Sequence, residues 1–177
     1  MSDAAPEFSR PFPWGTIGKQ ERREEVQATP KECAALAARF GILAIEALSA
    51  SLRLRQESGG AVRVRGRLAA TVVQPCVVTL EPVRQTVDEA VDLRFLPPGA
   101  EMDEDPEGPD EIPTENDVLE LGEALAEQLS LALDPYPRAP GASLEEGFSV
   151  GDDEPAPESP APRPNPFAVL KGLKRDN

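Results

Sequence analysis

Between Leu52 and Leu68 apolar and basic residues take turns along the chain. Leu52, Leu54, Val62, Val64 and Leu68 fall on one phase, and Arg53, Arg55, Arg63, Arg65 and Arg67 on the other. A period of two is the signature of a strand whose side chains point to opposite faces. Gly59-Gly60 marks a turn between two such strands. A strict two-residue loop would set Arg55 against Val64 and Arg53 against Gly66, which mixes the faces. A three-residue loop sets Arg55 against Arg63 or Arg65 and Leu54 against Val64 or Gly66, which separates them. The expected product is an antiparallel hairpin with a buried aliphatic face and a wet arginine face.

Similar patterning extends to either side. Ile42 to Gln56 reads as strand, alternating less cleanly through Ile42, Ala44, Glu46 and Leu48 before the arginine pattern sets in. Val62 to Val73 follows, with Val77 to Leu80 as a short continuation past Pro75. Thr86 to Phe95 alternates through Val87, Val91, Leu93 and Phe95, with Glu89 on the inward phase. Two helices frame these strands. Thr29-Pro30-Lys31-Glu32 forms a capping box with proline at the first helical position, and the helix runs to Phe40 and stops at Gly41. Asn116 or Asp117 caps a second helix from about Leu119 to Leu133, with Leu121, Leu125, Leu129 and Ala132 on one face. Asp134-Pro135 ends it.

The expected fold is therefore α+β: an antiparallel β-sheet, a meander of three to five strands, packed with two helices and flanked by flexible N-terminal, acidic-loop and C-terminal segments. Residues 1–28 form an N-terminal arm whose Phe8, Phe12 and Trp14 make either a docked strand, the commoner outcome, or a short linear motif. Residues 29–138 form the single domain. Within it, 97–117 is an acidic loop with seven carboxylates in the eleven residues from Glu101 to Glu111. Residues 139–164 are a disordered linker rich in proline and acid. Residues 165–177 hold a short amphipathic motif in which Asn165 and Pro166 start a turn that carries Phe167, Leu170, Lys171 and Lys174, which either dock back on the sheet or form a second hold on an RNA or protein partner.

Composition narrows the chemistry. The 177-residue chain has 32 acidic against 18 basic side chains, a net charge of −14, which argues against a surface that binds nucleic acid throughout but leaves room for a local basic patch. It has no histidine, hence no imidazole for a catalytic base, a metal or a pH switch. Its two cysteines, Cys33 and Cys76, make neither a disulfide framework nor a CxxC zinc spacing. The acidic loop lacks the ligand order of a calcium loop. With no cofactor motif and no catalytic constellation, the chain is expected not to be an enzyme, to need no metal or cofactor and to take no small-molecule substrate. No segment is long and apolar enough to span a membrane, so it is expected to be soluble and cytoplasmic.

A cationic stripe on an acidic body leaves two readings. Arg53, Arg55, Arg63, Arg65 and Arg67 grip a phosphate or an acidic partner, or they are a solvent face neutralised by the protein's own carboxylates. Like charges opposite one another destabilise a strand pair, so the stack needs an offset. The acidic loop could also cover the face until a partner displaces it.

Three stretches together resemble the YceD family, the large ribosomal RNA subunit accumulation proteins: Arg67 to Val83 around Gln74-Pro75-Cys76-Val77-Val78-Thr79-Leu80-Glu81-Pro82, Asp117 to Pro137, and Asn165 to Lys171. The resemblance implies a non-enzymatic role in ribosome assembly or precursor processing. The implied partners are large-subunit ribosomal RNA precursor or a ribosomal protein. Many relatives carry Cys-x-x-Cys where this chain has Cys76 and Thr79. Threonine offers no thiolate, so this departure from the family pattern favours a structural role for Cys76.

Overall fold

The computed structural model describes residues 6–100, 102, 108–114 and 117–143. The chain divides into units 1–142 and 143–177, and every element below lies in the first. Strands are β1 (Pro11–Pro13), β2 (Arg22–Gln27), β3 (Ala44–Gln56), β4 (Val62–Pro75), β5 (Pro82–Leu96), β6 (Asp110–Pro113) and β7 (Val118–Glu120); helices are α1 (Pro30–Phe40) and α2 (Leu121–Ala132). Five strands form one sheet in the order β2-β3-β4-β5-β6, and β1 pairs with β7. This is the α+β fold expected, with the sheet antiparallel except for β5 and β6, which run parallel.

The central hairpin has the three-residue loop. Gln56 pairs with Val62 and Arg55 with Arg63, and Glu57 donates its N–H to the Ala61 carbonyl, leaving Ser58-Gly59-Gly60 as the turn. Both glycines adopt positive φ, which a side chain would resist. The inner face buries Leu52, Leu54, Val62, Val64 and Leu68 with Val91, Leu93 and Phe95 from β5. Each such side chain contributes about 2 kcal/mol by leaving water.

Helix α1 forms as its sequence dictates. Thr29 Oγ1 accepts from the Glu32 N–H, the Glu32 carboxylate accepts from the Thr29 N–H, and Gly41 closes the far end in the left-handed region. The helix packs on β3 through Cys33, Leu36 and Ala37. Helix α2 packs against β4 and β5 and buries Leu121, Leu125 and Leu129.

Several expectations are corrected. The second helix starts at Leu121, with Glu120 as its N-cap and no side-chain cap bond. Asp117 is not the cap; its carbonyl accepts from the Trp14 N–H, and the next three residues extend as β7. Val77 to Leu80 is a turn instead of a strand, because the Leu80 N–H bonds back to the Cys76 carbonyl and Cys76 to the Glu81 carbonyl. Leu80 takes φ +63 there with its side chain 77% exposed. At the start of β3 a bulge between Ile45 and Ala47 shifts the phase, so Ile45 and Leu48 are the buried positions, while Ala44 is half-buried and Ile42, ahead of the strand, packs partly against the core.

The N-terminal arm carries two strands. Phe8 is fully buried, β1 pairs with β7, and β2 adds to the edge of the main sheet. Residues Asp110–Pro113, within the acidic stretch, pair with the end of β5 as β6. The Phe167 to Lys174 motif lies outside the described residues.

Candidate functional site

All five hairpin arginines stand on the outer face of the sheet, opposite the aliphatic core. Register places them in rows that run across the strands. Arg53 pairs with Arg65, which pairs onward with Asp92 of β5; on the other side Arg53 pairs with Arg23 of β2. The next row is Arg55, Arg63, Arg94 and Glu111. The third is Glu25, Ser51, Arg67 and Ala90.

The carboxylates of β5 supply the offset that such stacking needs. Arg63 forks onto Asp92 through Nε at 2.5 Å and Nη2 at 2.7 Å, and Arg65 reaches the same carboxylate at 3.2 Å. Arg67 reaches Asp88 at 2.7 Å. Arg94 bridges Glu57 at 3.2 Å and Glu111 at 2.5 Å. The fork on Arg63 holds the Asp92 carboxyl below its ordinary range, and Arg67 does the same to Asp88. Reciprocally, Asp92 raises the Arg63 guanidinium and Asp88 that of Arg67, so all stay charged near neutrality.

Neutralisation therefore reaches β4 and β5 but stops short of the β2–β3 side. Among the described residues, Arg23, Arg53 and Arg55 make no ion pair and all three are exposed. Glu25 stands two residues from Arg23 on the same strand, in the third row, and it accepts from the Ser51 hydroxyl at 2.6 Å. Between the rows lies a shallow trough of about 650 Å³ with Arg23, Arg53, Arg65 and Arg67 around it and Ser51, Gly66 and Ala90 inside it. A smaller depression of about 170 Å³ is lined by Glu21, Arg53, Arg55, Arg63 and Arg65. Gly66 lets the strands approach there, since a Cβ would fall on the Ser51 carbonyl oxygen.

The sequence reading missed Arg23. It sits in Arg22-Arg23-Glu24-Glu25-Val26-Gln27, where only Val26 is apolar, so no alternation announces a strand. Arg94 was legible as a strand residue but not as a neighbour of Arg63. Phe167, Leu170, Lys171 and Lys174 lie outside the described residues.

At the far end of the hairpin, the Cys76 sulfur accepts from the N–H groups of Val78 and Thr79 at 3.4 Å and of Ala139 at 3.3 Å. The Thr79 hydroxyl and these N–H donors lower the thiol to about 6. The turn thus carries one sulfur with its lone pairs already engaged. No group of three metal-ligating side chains occurs among the described residues. The arrangement fits a structural sulfur that ties the turn to the irregular segment following α2.

No helix among the described residues is long and apolar enough to cross a membrane. No curated protein and no solved structure matches the chain significantly. A family model does match residues 64–174, from the second arginine strand through the C-terminal motif, and its description is Large ribosomal RNA subunit accumulation protein YceD. That span covers most of the chain, including Arg65 and Arg67 of the hairpin, Cys76 and α2, and the chain belongs to the YceD family.

Proposed function

We propose that this protein is a non-enzymatic factor in the accumulation of large-subunit ribosomal RNA, acting in the cytoplasm and contacting the RNA through the arginine face. The family supplies the process. The observation that supports direct contact is the set of unpaired guanidinium groups on Arg23, Arg53 and Arg55, turned to water beside three more whose partners are exposed carboxylates. Arginine forks match phosphate oxygens in pairs, so this surface can fix a backbone in place without reading sequence. On a chain of net charge −14 the contact is local, and its affinity falls with salt by the small slope that a few phosphate contacts give.

The test is binding of precursor ribosomal RNA, and of large-subunit particles, by the full chain and by an Arg23→Gln, Arg53→Gln, Arg55→Gln variant with an unchanged circular dichroism spectrum. Weaker binding by the variant supports the reading; equal binding removes the arginine face from it. A second reading draws on the acidic balance: the chain engages a basic partner such as a ribosomal protein and touches no RNA. Crosslinks in cells to protein alone favour that one.

A further inference from the structure

We infer that the arginine face takes the sugar–phosphate backbone of double-helical RNA in preference to unpaired bases, an inference that rests on the RNA contact proposed above. Proteins that hold single strands stack successive bases on aromatic side chains. Neither depression on this face is lined by an aromatic residue. The trough holds small residues, Ser51, Gly66 and Ala90, between guanidinium groups on both sides. That shape admits a ridge and offers no slot for a base.

The charges are spaced for a backbone as well. Alternate residues of one strand stand about 6.6 Å apart and neighbouring strands about 4.8 Å, so the rows form a two-dimensional lattice of donors. Asp92 already occupies the fork of Arg63 in the geometry a phosphate would adopt, with two parallel N–H···O bonds. A phosphate arriving at this fork exchanges one anion for another and leaves the arginine in place. Glu21 and Glu25 border the site and limit its strength.

The experiment measures binding of the full chain, at low salt, to a blunt RNA duplex and to an unpaired polyuridine strand of equal length. The duplex is expected to bind about tenfold more tightly, and an Arg53→Gln, Arg55→Gln variant to lose about tenfold on the duplex, as two phosphate contacts should. Arg84→Gln, at the far end of the same sheet face and paired with Glu46, should change nothing. Equal or tighter binding of the unpaired strand overturns the helical preference while leaving RNA contact standing. Binding to neither probe removes both.

Discussion

Arg53 and Arg65 are register partners on adjacent strands, yet only Arg65 reaches a carboxylate. Like charges placed opposite each other destabilise a strand pair by a few tenths of a kcal/mol. A surface kept for stability alone would not leave Arg53 so placed. Replacing it with threonine, a good strand former, should leave stability equal or raise it by about 0.5 kcal/mol in urea denaturation. The same change should weaken RNA binding and reduce the slope of log K against log salt by about 1. A stability loss with unaltered RNA binding would make Arg53 a packing residue.

Asp92 is the common anchor of Arg63 and Arg65, and it competes for the groups that would meet a phosphate. Asp92→Asn keeps the shape and removes the competing charge. Because the pairs are partly exposed, the stability cost should stay below about 1 kcal/mol. RNA affinity should rise about threefold or more as repulsion between carboxylate and phosphate disappears. A fall in affinity would mean that Asp92 serves mainly to hold the forks in position.

Acid should release the N-terminal arm through Glu32. Its carboxylate accepts from Arg10 at 2.7 and 3.0 Å and from the Thr29 N–H at 2.7 Å, and Arg10 with this cap lowers it to about 2 from 4.5. A carboxyl held lower in the folded chain stabilises fully above its unfolded value and loses that contribution as pH falls through the folded one. Stability should therefore drop between pH 4.5 and about 2, with about 1 kcal/mol of the loss traceable to Glu32 after solvent screening. In Glu32→Gln the chain starts less stable at neutral pH and shows a shallower acid slope. Chemical denaturation at several pH values reads both.

Gly122 marks where the arm crosses α2. A Cβ there would fall on the Phe8 carbonyl oxygen and crowd the Arg10 nitrogen, both of them backbone. Gly122→Ala should favour helix α2 locally and still push the arm off. Burial of Phe8 and the β1–β7 pairing are the contacts at stake. Trp14 is the single tryptophan of the chain and lies next to β1, so its emission should shift to the red. An unshifted spectrum would show that the arm accommodates the methyl group.

The arginine hairpin was legible because nothing competes with its period of two: the loop length and both faces follow from Leu54, Arg55, Gly59 and Gly60, while the pattern left Arg63 and Arg65 both open as the partner of Arg55, and the structure chooses Arg63. Helix α1 was equally plain, since Thr29, Pro30, Glu32 and Gly41 each perform a local task. What stayed hidden depends on distant partners. β2 is a strand because β3 offers it an edge, and its charged residues carry no periodic mark. β6 is parallel to β5 and is held by Glu111 on Arg94, a pairing between residues whose patterns say nothing of each other. The bulge at Glu46 inverts a phase that alternation alone would continue.

Cys76 is the most sharply testable group outside the arginine face. It is buried, yet the Thr79 hydroxyl and the N–H groups of Ala139, Thr79 and Val78 favour its thiolate and bring it to about 6 from 9.0. Cys33, the other thiol, is moved upward by burial, so the two separate in a titration. Thiolate absorbance of the folded chain should rise first near pH 6, and Cys76→Ala should abolish that step while leaving the later one. Thr79→Val should move the step upward. A thiol lowered by folding stabilises fully above its unfolded value and loses that contribution as pH falls through the folded one, so stability should increase from pH 6 toward 9 in the wild type and less so in Cys76→Ala. A single thiol transition near the ordinary value of about 8.5 would show that the N–H groups merely cover a neutral sulfur.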